Sequence, residues 1–93
     1  MTHSKRNHDE LYKAMLALET EEECRKFFDD LFTIAELEAF SQRLTVAELL
    51  REKKTCQAIS KETGASTATV TRVSKCLNYG EGGYALVLER LGK

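Results

Sequence analysis

The sequence predicts an all-α fold, and three observations predict it. Its 93 residues contain no proline, the residue most hostile to helix interiors. Apolar residues return at intervals of three and four, the period of a helix face. Oxygen-bearing residues followed three positions later by glutamate recur along the first third of the chain, a pattern that closes the first turn of a helix from both sides. Apolar residues make up 42% of the chain and charged residues 31%, which is globular composition. A chain of this length predicts one domain, spanning 1–93, with a thin core.

Residues 1–6 are expected to form a flexible N-terminus, and Asn7 with Glu10 to start the first helix, with Leu11, Met15 and Leu18 on one face. Thr20 with Glu23 starts the second, where Cys24, Phe27, Phe28, Leu31 and Phe32 make a broad aromatic face. Thr33 with Glu36 starts the third and longest, whose period runs through Leu37, Phe40, Leu44, Ala47 and Leu50 to the charged end Arg51-Glu52-Lys53-Lys54. Thr55 caps a short fourth helix with Ala58 and Ile59 inward, and Gly64 ends it. Ser66 caps a fifth, about Thr67 to Cys76, with Val70, Val73 and Leu77 inward; residues 78–83 read as a loop, and 84–91 as the last helix. Six short helices offer more apolar surface than one small chain covers, which predicts a dimer built mainly from the helices of residues 7–54.

The formal net charge of −1 hides a division. Residues 8–41 carry three Lys or Arg against ten Asp or Glu, whereas residues 42–79 carry seven against three. Only the second half suits a polyanion. No apolar run approaches the ~18 residues of a membrane span, and the N-terminus lacks the apolar stretch of a signal peptide, so a cytoplasmic protein with no membrane partner is expected. Cys24, Cys56 and Cys76 are odd in number and widely spaced; they define neither a disulfide framework nor a metal knuckle and read as small buried hydrophobes. His3 and His8 have no nearby residues to make a metal or catalytic site, and no paired carboxylates or nucleophile with base appear, so neither a metal nor an enzyme is expected.

Residues 55–77 have the spacing of a helix-turn-helix: Ile59 packs inward, Gly64 makes the turn, and Val70 with Val73 fills the angle from the second helix. The outward positions Thr67, Ala68, Thr69, Thr71, Arg72 and Lys75 are small and polar at the helix start and cationic further on. Such a face lets the backbone approach the major groove of double-stranded DNA, with hydroxyls and methyls at base edges. Thr55, Gln57 and Lys61 on the preceding helix are placed for phosphates, and Lys5 and Arg6 offer a short basic arm.

The stretches Thr33–Phe40, Ala47–Arg51, Glu62–Ala65 and Ala68–Arg72 resemble the tryptophan-repressor family over residues 33–91, and the ending Leu77–Tyr84 resembles its YerC/YecD-type branch. That resemblance implies a six-helix, intertwined homodimer with one reading head per subunit, contacting two half-sites ~34 Å apart; the family's repressor is a standard example of this docking geometry. It also implies a comparison with the repressor's amino-acid site. Thr33 and Arg72 match a threonine and an arginine of that site, and Arg43 matches its second arginine if one residue is deleted. Val73 stands where the repressor has glycine beside the ligand, and Cys76 where it has serine. A branched side chain there fills the space of a ring, so tryptophan is not the expected ligand. No cofactor is expected, and the identity of any small-molecule co-regulator is left open. The competing reading is a protein-interaction module that works through the acidic N-terminal helices and ignores DNA.

Overall fold

The computed structural model describes the backbone of residues 2–93 and the side chains of residues 8–93. The expectations placed on His3 and on Lys5 and Arg6 as a basic arm lie outside the described side chains. Among the described residues there are six helices and no strand: α1 (Thr2–Leu16), α2 (Glu21–Leu31), α3 (Ile34–Arg51), α4 (Cys56–Thr63), α5 (Thr67–Tyr79) and α6 (Gly83–Arg90). None of them is long and apolar enough to cross a membrane.

Two boundaries differ from the sequence reading. α1 begins at Thr2, so Asn7 lies inside the helix and residues 2–6 are helical. With no glycine before position 64 and no proline anywhere, nothing upstream of Asn7 interrupts the helical backbone. α5 runs to Tyr79, so Asn78 and Tyr79 belong to the helix and not to the loop. Gly80 sets that end: its N–H donates to the Cys76 carbonyl at 2.8 Å, and a Cβ at this position would collide with the same oxygen.

The chain gathers into two compact units, Met1–Leu37 and Glu38–Lys93. In the first, helix starts are fixed by side chains. Thr33 and Glu36 form a complete capping box, the Thr33 N–H donating to Glu36 Oε1 at 2.9 Å and the Glu36 N–H to Thr33 Oγ1 at 3.1 Å. At α2 the Glu23 N–H donates to Thr20 Oγ1 at 3.1 Å, while the Glu23 carboxylate accepts from the Glu19 N–H, one residue ahead of the cap. Phe28 and Phe32 meet edge to face at 5.2 Å between ring centroids, yet no residue of α2 is buried.

The second unit holds a core of Val46, Ala47, Leu49, Ile59, Ala65, Val70, Val73 and Leu88, with Leu50 and Tyr84 packed against it. This corrects the expected face of α3. Val46 and Leu49 are its anchors, whereas Phe40 and Leu44 remain 40% and 36% exposed. The helix is apolar on two sides, and the corner formed by α4 and α5 takes the side of Val46 and Leu49. α3 ends in a Schellman motif: Lys54 N–H donates to the Leu49 carbonyl at 3.2 Å and Lys53 N–H to the Leu50 carbonyl at 3.0 Å. The left-handed position of that motif, normally glycine, is occupied by Lys53 at φ 69°.

Gly64 closes α4 at φ 77°, ψ 2°, with its N–H donating to the Ser60 carbonyl at 2.8 Å. A side chain meets no neighbour there, so the requirement for glycine is the backbone angle alone. Gly64→Ala is expected to destabilise the protein by about 1 kcal/mol or more, read from urea denaturation midpoints at unchanged slope.

Candidate nucleic-acid interface

The corner is built from a few short-range bonds around an apolar centre. Thr55 starts α4 by accepting from the Ala58 N–H at 3.1 Å. At the other end the Thr63 hydroxyl donates to the Ile59 carbonyl at 2.7 Å and accepts from the Ala65 N–H at 3.1 Å, bracing the turn on both sides of Gly64. Gln42 on α3 donates from Nε2 to the Thr63 carbonyl at 3.2 Å and so fastens the turn to the long helix. Ser66 then starts α5, accepting from the Thr69 N–H at 3.1 Å, with its hydroxyl also bonded to that of Thr69 at 3.1 Å. Ile59, Ala65, Val70 and Val73 fill the angle, each 4% exposed or less.

What faces outward follows from that packing. On α4 and its cap, Thr55, Gln57 and Lys61 are exposed; on α5, Thr67, Ala68, Thr71, Arg72 and Lys75 are exposed and Thr69 is half-buried. Ala68, Arg72, Lys75 and Tyr79 fall within one stripe of α5 at helical spacing. No acid lies anywhere on that helix. Lys61, Arg72 and Lys75 have no ion-pair partner among the described residues, whereas the acid of α4, Glu62, is held by Lys54 at 3.9 Å. The amide end of α5, carrying the positive pole of its dipole, opens at the hydroxyl-rich Thr67 side.

Of the three residues weighed as an effector pocket, two have partners of their own in the structure. Thr33, in the first unit, spends its hydroxyl on the start of α3. Arg43, in the second, lies with its guanidinium carbon 5.6 Å from the centroid of Phe40. Arg72 is exposed. Val73 is buried in the core at 1% exposure. The reading of the cysteines as buried is corrected: Cys24 is half-buried, and Cys56 and Cys76 are exposed. Cys56 is the first residue of α4, too early in the helix to reach the core, and Cys76 falls on the open side of α5. His8 is exposed, and among the described residues no cluster of three His, Cys, Asp or Glu side chains has the geometry to hold a metal.

Sequence reasoning missed two features. Gln42 carries no local signal, because its partner is 21 residues away. An open apolar groove of about 600 Å³ also lies in the second unit, lined by Phe40, Leu44, Cys76, Tyr84 and Val87; the exposed Phe40 and Leu44 mark it only once α3 is known to be apolar on two sides.

Comparison with known proteins places this geometry. The family model described as Trp repressor protein matches residues 6–92. The chain belongs to the Trp repressor family. Within that family it is 52% identical over 83 residues to the uncharacterized protein YerC of Bacillus subtilis, covering 89% of this chain and 80% of that one. A solved structure of a TrpR-like protein from Eubacterium eligens superposes with a TM-score of 0.89 at 47% identity, covering 94% of this chain and 90% of the other. A candidate Trp repressor from Staphylococcus aureus gives the same TM-score at 45% identity, with 94% and 87% covered. The all-α Trp repressor fold is therefore that of this chain.

Removing the cap that orients α5 tests how the family's corner is held here. Ser66→Ala is expected to cost about 1 kcal/mol by denaturation, with the loss of helicity on circular dichroism confined to a small fraction of the total.

Proposed function

We propose that the protein is a sequence-specific, double-stranded DNA-binding transcriptional regulator acting as a homodimer, with residues 55–77 as a helix-turn-helix reading head in the major groove. The observation that carries this reading is the outward face of α5, which is small and hydroxyl-bearing at its start, cationic beyond, and free of acid. In that reading Thr67, Ala68, Thr69 and Thr71 meet base edges, Arg72 and Lys75 reach phosphate or guanine, and Thr55, Gln57 and Lys61 hold phosphates. Membership of the Trp repressor family supports it.

The homodimer is supported by apolar surface that one copy leaves open. Phe40, Leu44, Leu86, Val87 and Leu91 are each at least 36% exposed, and no residue of the phenylalanine-rich α2 is buried. A monomer rarely leaves so many large apolar side chains open to water. The helices before residue 55 are the proposed dimerisation elements, and one reading head per subunit then spans half-sites ~34 Å apart.

Selection of bound duplexes from a random oligonucleotide pool tests the proposal. The expected product is a two-fold symmetric motif with half-sites one helical turn apart, lost in Arg72→Ala and weakened in Thr69→Ala while both variants remain folded dimers. Binding should fall with salt at a log–log slope of about −4 to −5, corresponding to ~4–6 phosphates per dimer. Absence of enrichment from a folded dimer, with or without added amino acids, would transfer the function to the acidic helices as a protein-binding surface.

A further inference from the structure

The basic half of the chain has seven Lys or Arg between residues 42 and 79, and the fold disposes of three. Arg43 lies over Phe40. Arg51 donates to the Ala85 carbonyl at 3.4 Å and pairs with Glu89 at 3.9 Å, and Lys54 pairs with Glu62. The other four have neither an ion pair nor a ring contact among the described residues. Lys61, Arg72 and Lys75 already belong to the proposed reading head; Lys53 is the fourth.

Lys53 is also the residue whose backbone argues most strongly for a different amino acid. It occupies the left-handed position of the Schellman motif that ends α3, at φ 69°. At such a position glycine avoids the steric penalty every L side chain incurs. Its side chain is exposed, and neither burial nor a bond explains a lysine here. What Lys53 does have is location: it lies two residues before Thr55, the cap of α4, so the two Cα atoms are at most ~7.6 Å apart. The N-terminal edge of α4 is the phosphate-facing edge of the proposed reading head.

We infer that Lys53 is a phosphate-contacting residue of the DNA interface, adding one cation per subunit at the wall of the groove and positioning the reading head without discriminating sequence. This inference rests on the DNA-binding reading above and extends its contact set upstream of α4.

The test uses the full chain and the duplex recovered by selection. Lys53→Gly removes the charge and the strain together, Lys53→Gln removes the charge alone, and Lys53→Arg keeps the charge. Lys53→Gly should melt about 4–8 °C above the parent while its affinity falls about ten-fold or more at 0.1 M salt. Its salt slope should become shallower by about 1.8, two lost phosphate contacts per dimer. Lys53→Gln should lose the same affinity without the gain in melting temperature, Lys53→Arg should bind as the parent does, and the preferred motif should be unchanged in all three. Parental affinity and salt slope in both Lys53→Gly and Lys53→Gln would overturn the inference and leave the DNA-binding reading standing. Failure of the parent protein itself to bind any duplex would remove both.

Discussion

A three-residue turn between two helices leaves the backbone few routes, and here it passes through Gly64 in the left-handed region at φ 77°. That reversal lets Ile59 face Val70 and Val73 across the corner, and all three are at most 2% exposed. The bonds around it are individually small, each worth about 1 kcal/mol net, but they converge on one segment. Thr63 braces both sides of the glycine, Gln42 ties the turn to α3, and Ser66 aims the next helix. Because the inward residues are fully committed, the outward register of α5 has no freedom to rotate. The positions of Ala68, Arg72 and Lys75 therefore follow from where Val70 and Val73 are buried.

The existence and order of the helices were legible in the sequence because most of the signals are local. Thr33 with Glu36, Thr55, Gly64 and Ser66 act within three or four residues of themselves, and each performs as its type predicts. What failed to be legible depends on partners elsewhere. A periodic apolar pattern identifies α3 as a helix, but not which of its two apolar sides meets the corner, and so Phe40 and Leu44 were expected inside. Cys76 was misplaced for the same reason: a small apolar side chain on α5 goes inward or outward according to where Val70 and Val73 find their partners on other elements. Gln42 was invisible because its one bond crosses from α3 to the turn. The extent of α5 past Cys76 depended on Gly80 folding back on a carbonyl, a demand of geometry that the glycine-rich run alone does not locate.

Charge is organised with equal economy. Three of the six acids of the second unit lie against specific cations: Glu62 against Lys54, Glu89 against Arg51 and Glu48 against Lys93, the last at 3.0 Å. Such exposed pairs add little stability, but they neutralise carboxylates that would otherwise oppose a polyanion beside the corner. Lys53, Lys61, Arg72 and Lys75, on and next to α4 and α5, stay without an ion-pair partner among the described residues, while acids of the first unit accumulate on α2, which buries none of its residues.

The capping bonds at Thr20, Thr33, Thr55 and Ser66 all span three residues. Helix boundaries written in contacts of such short range require almost no loop closure to form, and chains dominated by local contacts fold quickly. What spans the sequence is the core, where Ile59, Val70 and Val73 meet Val46 and Leu49, and its closure carries the larger entropic cost. Helices as short as α4 and α6, at eight residues each, are completed only when that core closes on them.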